Sequence, residues 1–313
     1  MQFHQPVLLK EVRELLQARP GDILVDCNLG TGGHSLALLE DSEREGHLVG
    51  LDLDHDMIEL AHQRFRSSGL PSSCYSLVHA DHGELARVMG DLGLPQANKI
   101  LLDLGCSSLH LDLPERGFSF TADGPLDMRY DRSEGKPTAA SIVNSWPEAE
   151  LARLFRDKSD ERWAARIARR LAERRETRPF TTTADLAAEV AAAIPRKAWP
   201  PKIHPATRVF LALRVEVNGE DRALRSALEA ALELLAPAGR LAVITFQSHE
   251  DQVVKRLFRQ VCRDVIDEVD PYGRVIEPAR FRDLTRHPVQ AGPEEERENP
   301  RARSAKLRAI ERK

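Results

Sequence analysis

A glycine-rich turn between an apolar run and a helix constrains this chain more than any other feature. Residues 26–35 read Asp-Cys-Asn-Leu-Gly-Thr-Gly-Gly-His-Ser, directly after Ile-Leu-Val at 23–25 and directly before Leu-Ala-Leu-Leu at 36–39. About twenty residues on, a second apolar run (48–54) closes on Asp52 and Asp54. A strand, a tight turn, a helix and an acidic strand end are the opening of a nucleotide-binding α/β domain. Glycines at 30, 32 and 33 let the backbone turn sharply and approach a ligand, because they carry no Cβ. The second-strand carboxylate is placed to accept hydrogen bonds from ribose hydroxyls. The expected ligand contains adenosine.

Two cofactor classes fit that turn. The dinucleotide fingerprint G-x-G-x-x-G asks for a third glycine, and here Gly30-Thr-Gly32 runs on into Gly33, His34 and Ser35. A small Ser35 can replace that glycine, so a nicotinamide cofactor stays open. S-adenosylmethionine (SAM) has no pyrophosphate to cradle and tolerates looser glycine patterns, so the loop suits SAM better. A glycine loop serving no ligand is a poor reading beside so well placed an acidic strand end.

Four strand candidates follow in quick succession at 22–27, 47–54, 76–81 and 99–105, with helix-patterned segments between them. Strands alternating with helices predict a parallel sheet covered on both faces. The next convincing strand, 240–246, lies more than 130 residues later. A structureless loop of that length does not fit a compact domain, so the gap holds a folded insertion. Within it Trp163, Ile167 and Leu171 share one helix face, and Arg162, Arg166, Arg169 and Arg170 largely take the others. Thr-Thr-Thr-Ala-Asp at 181–185 reads as an N-cap opening a helix over 186–194, which Pro195 ends. Beyond the insertion, 223–235 is the clearest amphipathic helix, 250–261 a further one, and 304–311 a last strand. The expected fold class is α/β: a Rossmann-like domain made of 1–110 and 204–313, interrupted by a mostly helical substrate-binding insertion at 111–203.

Composition bounds the compartment and the partner. Four cysteines (Cys27, Cys74, Cys106, Cys262) form no C-x-x-C pair, which argues against zinc or a disulfide framework and fits a reducing cytoplasm. No metal and no membrane segment are expected. Net charge is only −4, but it is segregated. Residues 151–180 hold ten Lys/Arg against five Asp/Glu, and the last thirteen residues hold six against one. These two runs carry +10, leaving −14 on the rest. Basic patches on an acidic body are the footprint of a polyanion partner, with a solvated helix face as the bland alternative. Arg166, Arg169, Arg170 and Arg174 are the candidate contacts.

Several segments converge on one family: His4-Gln-Pro-Val-Leu-Leu-Lys-Glu-Val12, Asn28-Leu-Gly-Thr-Gly-Gly-His-Ser35, Leu101-Leu-Asp-Leu-Gly-Cys-Ser-Ser108, Glu115-Arg-Gly-Phe-Ser-Phe120 and Asp123-Gly-Pro-Leu-Asp-Met-Arg129. Further matches are His204-Pro-Ala-Thr-Arg208, Ala212-Leu-Arg-Val-Glu-Val-Asn218 and Asn299-Pro-Arg-Ala-Arg-Ser-Ala-Lys-Leu-Arg308. Nearly end to end, in order and spacing, the chain resembles the RsmH (MraW) family, which methylates N4 of a cytidine in the decoding region of bacterial small-subunit (16S) rRNA. The resemblance implies SAM as cofactor, with Gly32, Gly33 and His34 in the cofactor loop, Asp52 on the ribose and Asp103 beside the methionine part. His82 and His110 stand where the family carries an aromatic contact and a glutamine. The implied partner is small-subunit rRNA or the assembled 30S particle. Departures from the family's pattern fall at Phe246-Gln-Ser-His-Glu-Asp251 and Lys158-Ser-Asp-Glu161.

The chemistry can be read beside the resemblance. Methyl transfer from SAM is mainly a positioning task. A cytosine amine is a weak nucleophile because its lone pair is delocalised into the ring, so a carboxylate accepting its N–H would assist. Asp103, at a strand's carboxyl end, is the catalytic candidate. Phe118 and Phe120 are candidates for stacking the base, or simply for packing the insertion. Glu250 and Asp251 open a helix, where carboxylates favour the dipole. His4 and His204 read as capping groups. Two other classes compete with a methyltransferase: a dinucleotide-dependent oxidoreductase, and a catalytically silent RNA-binding or assembly factor that keeps the fold.

Overall fold

The computed structural model describes residues 5–266 and 275–313, so His4, which opens the first motif, lies outside the described residues. In chain order, α1 (Leu9–Leu16), β1 (Ile23–Asp26), α2 (Gly33–Asp41), β2 (His47–Asp52), α3 (His55–Ser67), β3 (Tyr75–His79), α4 (Leu85–Asp91) and β4 (Ala97–Asp103) alternate without a break. The six helices α5 (Ser108–Asp112), α6 (Ala139–Ser145), α7 (Glu148–Ser159), α8 (Ala164–Arg175), α9 (Thr183–Ala193) and α10 (Thr207–Asn218) come next. Then follow α11 (Glu220–Leu234), β5 (Leu235–Thr245), α12 (Ser248–Val261), β6 (Val265–Ile266), β7 (Val275–Glu277), β8 (Phe281–Asp283), α13 (Pro293–Glu298) and β9 (Lys306–Arg312).

Seven strands form one sheet in the order β3-β2-β1-β4-β5-β9-β8. The first five run parallel, and β9 and β8 are antiparallel. Side chains alternate across the pleat. Val25, Ile100 and Leu102 therefore join one core under α4, α11 and α12, while Leu24 and Leu101 join a second with Leu16, Leu38 and Phe65. Both faces of the sheet are covered, which is why its central strands read as unbroken apolar runs. The order reverses between β1 and β4. Open α/β sheets bind ligands at that switch point, outside the carboxyl ends of the strands.

The amphipathic stripe predicted at 223–235 is buried as expected at Leu224, Ala227, Leu228, Ala231 and Leu232. The helix ends one residue early, at Leu234, because β5 begins at Leu235. Pro237-Ala-Gly239 is a bulge inside β5: pairing shifts from Ala97–Leu235 to Lys99–Arg240 across it.

The chain divides into two compact units, Met1–Gly105 with Arg222–Lys313, and Cys106–Asp221. The second is wider than the expected 111–203. Its extra residues include α10, which packs on α6 and α7 and buries Val209, Phe210 and Leu213 in the core of this unit. Periodicity shows that α10 has an apolar face but not which partner the face meets. As the composition of 181–185 suggested, the Thr182 hydroxyl caps α9 by accepting the Asp185 N–H at 3.3 Å.

The conspicuous run at 115–129 is largely a self-bonding loop. Arg116 is buried and donates to the carbonyls of Arg129 and Tyr130 at 3.2 and 3.1 Å. Asp127 holds Arg129 in a paired contact of 2.9 Å, and Asp123 accepts the Ala184 N–H at the start of α9 at 3.0 Å. A Cβ at Gly124 would stand 1.9 Å from the Pro114 carbonyl oxygen, so only glycine fits there.

Candidate active site

The turn after β1 is pinned from beneath. Asp52, at the end of β2, accepts the N–H groups of Gly30 and Asp54, each at 2.8 Å. The sequence assigned Asp52 to a ribose. The structure shows it fixing the loop. Gly32 sits at φ +75°, and a Cβ on it would lie 2.6 Å from the Phe65 ring. A Cβ on Gly33 would lie 2.5 Å from Pro6. These two glycines let the loop close onto α3 and onto the segment before α1. The clearance is needed against the protein itself.

Buried carboxyl groups converge at the strand ends. Asp26, the last residue of β1, takes the Ser35 hydroxyl at 2.6 Å and the Asn28 N–H at 3.2 Å. Burial nevertheless pushes its pKa up to about 6. Asp52 is pushed to about 7, chiefly by burial. Asp103, at the end of β4, rises to about 8 through burial and then through the charges of Asp26 and Glu250. Its side chain keeps 25% of its surface open, although Oδ1 is itself buried. Its Oδ2 lies 3.6 Å from His34 Nε2, and its Oδ1 has no hydrogen-bond partner among the described residues. Burial lowers His34 to about 4, so the ring is neutral at pH 7 and does not offset the carboxylates.

Other polar atoms of this unit are also left open. Asn28 Nδ2 lies 3.2 Å from His82 Nδ1, while Asn28 Oδ1 has no partner. The Gln247 amide nitrogen is buried without a partner among the described residues. Beside it, Glu250 accepts the N–H groups of Phe246 and Gln247 at 2.9 and 3.0 Å and so caps α12. Asp251 is not a substrate-side group, because it pairs with Arg308 at 2.7 Å and Lys306 at 3.4 Å. A buried donor or acceptor left unmade costs about 1–3 kcal/mol, so such a cluster is best explained by a ligand that completes it. Several carboxylates without a facing cation suit a positively charged one.

Gly32, Gly33, His34, Asp52, His82 and Asp103 thus all belong to the first unit. His110 belongs to the second, where its Nδ1 accepts the Ser107 N–H at 3.1 Å and its ring packs against Phe118 and Tyr130. Phe118 is buried and stacks on Tyr130 with centroids 5.1 Å apart, leaving no open face for a base. Phe120 packs edge-on against Phe210 at 4.7 Å. Both are therefore packing residues of the second unit. Cys106 accepts from the Arg214 guanidinium at 3.5 Å, and Arg214 pairs with Glu220 at 2.8 Å. His204 Nδ1 accepts the Ala206 N–H at 3.1 Å, a capping role. Asp26, Ser35, Asn28 and Gln247 complete the set and were not singled out as ligand contacts from sequence.

The basic run at 151–180 is partly consumed inside its own unit. Arg174 pairs with Asp185 at 2.5 Å, Arg170 with Glu189 at 2.6 Å and Arg169 with Glu173 at 2.9 Å. Arg175 donates to the carbonyls of Val143 and Trp146 at 2.8 and 2.7 Å. Of the four expected contacts only Arg166 is left without a carboxylate among the described residues. Arg153, Arg162 and Arg178 are also exposed and unpaired among the described residues. Among the described residues no helix is long and apolar enough to cross a membrane.

A family model described as the MraW methylase family matches residues 1–313. Ribosomal RNA small subunit methyltransferase H of Trichlorobacter lovleyi is 44% identical over 309 residues, covering 98% of this chain and 97% of that protein. The protein of the same name from Syntrophotalea carbinolica is 44% identical over 313 residues, covering 99% and 98%. That of Geobacter sulfurreducens is 44% identical over 309 residues, covering 98% of both.

Proposed function

The chain belongs to the MraW methylase family, and from that membership we propose that it is a SAM-dependent methyltransferase of small-subunit rRNA acting on the exocyclic N4 of a cytidine. Its full-length relatives carry the rRNA substrate in their names. The observation in the site that carries the reading is Asp103, a buried carboxyl at the sheet's switch point with an unpartnered oxygen. A dinucleotide would bring the negative pyrophosphate of an oxidoreductase's cofactor to those carboxylates, and a silent RNA-binding factor has no use for them.

The site's donor set fits SAM. When bound, SAM supplies a methyl group already activated on a cationic sulfonium. Asp52 would hold the ribose, while Asp26 and Asp103 supply the negative field that favours a sulfonium and an ammonium. His34, Asn28, His82 and Gln247 line the same strand ends. Gly32 and Gly33 hold the loop in place. The Asp103 carboxylate would then accept an N–H of the cytosine amine and take its proton as the methyl arrives. A base with a pKa near the working pH is well matched to that task. The substrate nucleotide would be single-stranded or weakly paired, presented by folded rRNA or a 30S particle in the cytoplasm, since a paired base must first be extracted.

Mass spectrometry of nucleosides from small-subunit rRNA, with and without the enzyme, tests the product. N4-methylcytidine is expected. A methyl on carbon 5 or on the ribose would defeat the amine mechanism. Binding carries its own pH signature. Asp103 holds a proton up to about pH 8 in the ligand-free protein, and a cation favours the ionised form. SAM affinity should therefore rise from pH 6 and level off above pH 8. Calorimetry at pH 7 in buffers of different ionisation enthalpy should show proton release. Absence of release would mean that the ligand's charge lies elsewhere.

A further inference from the structure

The two basic runs legible in the sequence are not where most of the first unit's free positive charge lies. In the C-terminal run, Lys306 and Arg308 are held by Asp251, and Arg312 donates to the Leu235 carbonyl at 2.5 Å. These cations belong to β9, an inner strand, and serve the fold. Arg308 also borders a depression of about 320 Å³ lined by Lys255, Arg259, Arg263 and Arg286, with Phe258 and Thr285 among its other lining residues. All four of those cations are exposed, and none makes an ion pair among the described residues. Its one lining carboxylate, Asp283, accepts the Thr285 N–H at 2.8 Å.

Four cations without an ion pair among the described residues repel each other around one depression. They sit on a chain whose net charge is −4, so the arrangement is not a by-product of a basic protein. Lys255 and Arg259 are one helical turn apart on α12, ~6 Å along its axis, and Arg263 follows just past the helix end. Duplex nucleic acid presents a phosphate charge every ~1.7 Å of its length, so a stretch of backbone meets several of these groups at once. The lining of the depression offers the Thr285 hydroxyl and several guanidinium groups, which suit a phosphate chain. We propose that the depression lined by Lys255, Arg259, Arg263 and Arg286 on α12 and after β8 is a second rRNA-docking surface, which grips the phosphodiester backbone independently of the basic residues of the helical unit. This rests on the reading of the substrate as rRNA.

The test replaces all four residues together, Lys255→Gln, Arg259→Gln, Arg263→Gln and Arg286→Gln, and measures binding to deproteinised small-subunit rRNA across a salt series. Wild type should bind with a steep salt dependence. The variant should bind on the order of 10-fold or more weakly, with the log–log salt slope reduced by about 2–4. Its thermal midpoint and SAM affinity should be unchanged. In turnover, KM for RNA should rise while kcat holds. Unchanged RNA affinity and slope would overturn the proposal. So would a loss seen only with the intact particle and not with naked rRNA, which would assign the surface to a ribosomal protein. If wild type binds neither naked rRNA nor the intact particle, the substrate reading itself fails, a result distinct from a variant that matches wild type. Should the fourfold variant not fold, the pair Lys255→Gln/Arg259→Gln gives the same readouts with about half the change in slope.

Discussion

Replacing Asp103 by asparagine should reduce methyl transfer on the order of 10³-fold while making the ligand-free protein more stable at pH 8. The two effects share one cause. A carboxyl whose folded pKa is about 8 keeps its proton where the unfolded chain, near 4, has lost it. Between those values the folded state binds more protons, so this group's contribution to stability falls as pH rises through that window. Asparagine removes the titration, and thermal melts from pH 5 to pH 8 should show a flatter profile than wild type. Activity is lost because the amide cannot take a proton from the amine, a role that general bases fill at about 10²–10⁴-fold. Assays at saturating SAM separate this loss from weakened cofactor binding. A variant with a fallen midpoint at pH 8 and intact kcat would show that Asp103 neither titrates high nor acts in the reaction.

The cofactor loop was legible because its residues are contiguous. A strand, three glycines and a carboxylate at a set distance have one common structural solution, and the sheet places Asp52 and Asp103 at carboxyl ends on either side of β1. Asp26 was not singled out although it lies in the same motif, because nothing in sequence says whether the last residue of a short strand points into the site or away from it. Its bond to Ser35 decides that. Gln247 was visible only as a departure from a family pattern, since its burial depends on a strand that returns more than 130 residues after β4.

The glycine argument named the right residues without their protein neighbours. Absence of a Cβ says that something comes close, and only the packed structure says that Phe65 and Pro6 do so. Charge misled for a similar reason. Counting Lys and Arg along the chain cannot tell a cation that caps a helix or pairs within a sheet from one left in solvent. Arg175 and Arg308 look like neighbours of a polyanion in sequence and are structural in space. On α12, Lys255, Arg256 and Arg259 stand among apolar residues needed for packing, so no run stands out. Antiparallel β8 escaped notice because three residues give no usable period.

The helical unit therefore calls for a selective experiment. Changing Arg153, Arg162, Arg166 and Arg178 to glutamine removes four exposed charges that no carboxylate holds among the described residues. If each meets a phosphate, the salt slope of rRNA binding should fall by about 3–4 and affinity by roughly 10²–10³-fold at moderate salt. SAM affinity and the thermal midpoint should stay near wild type, because exposed charges contribute little to folding. Arg174→Gln should behave in the opposite way. It leaves Asp185 without its guanidinium and strips a cation from the Phe180 ring, so the midpoint should fall while the salt slope of the folded protein stays nearly constant. An equal loss of RNA binding in both variants would mean that stability of the unit, not its free charge, governs the interaction. Unchanged binding in the fourfold variant would return these arginines to a solvated helix face.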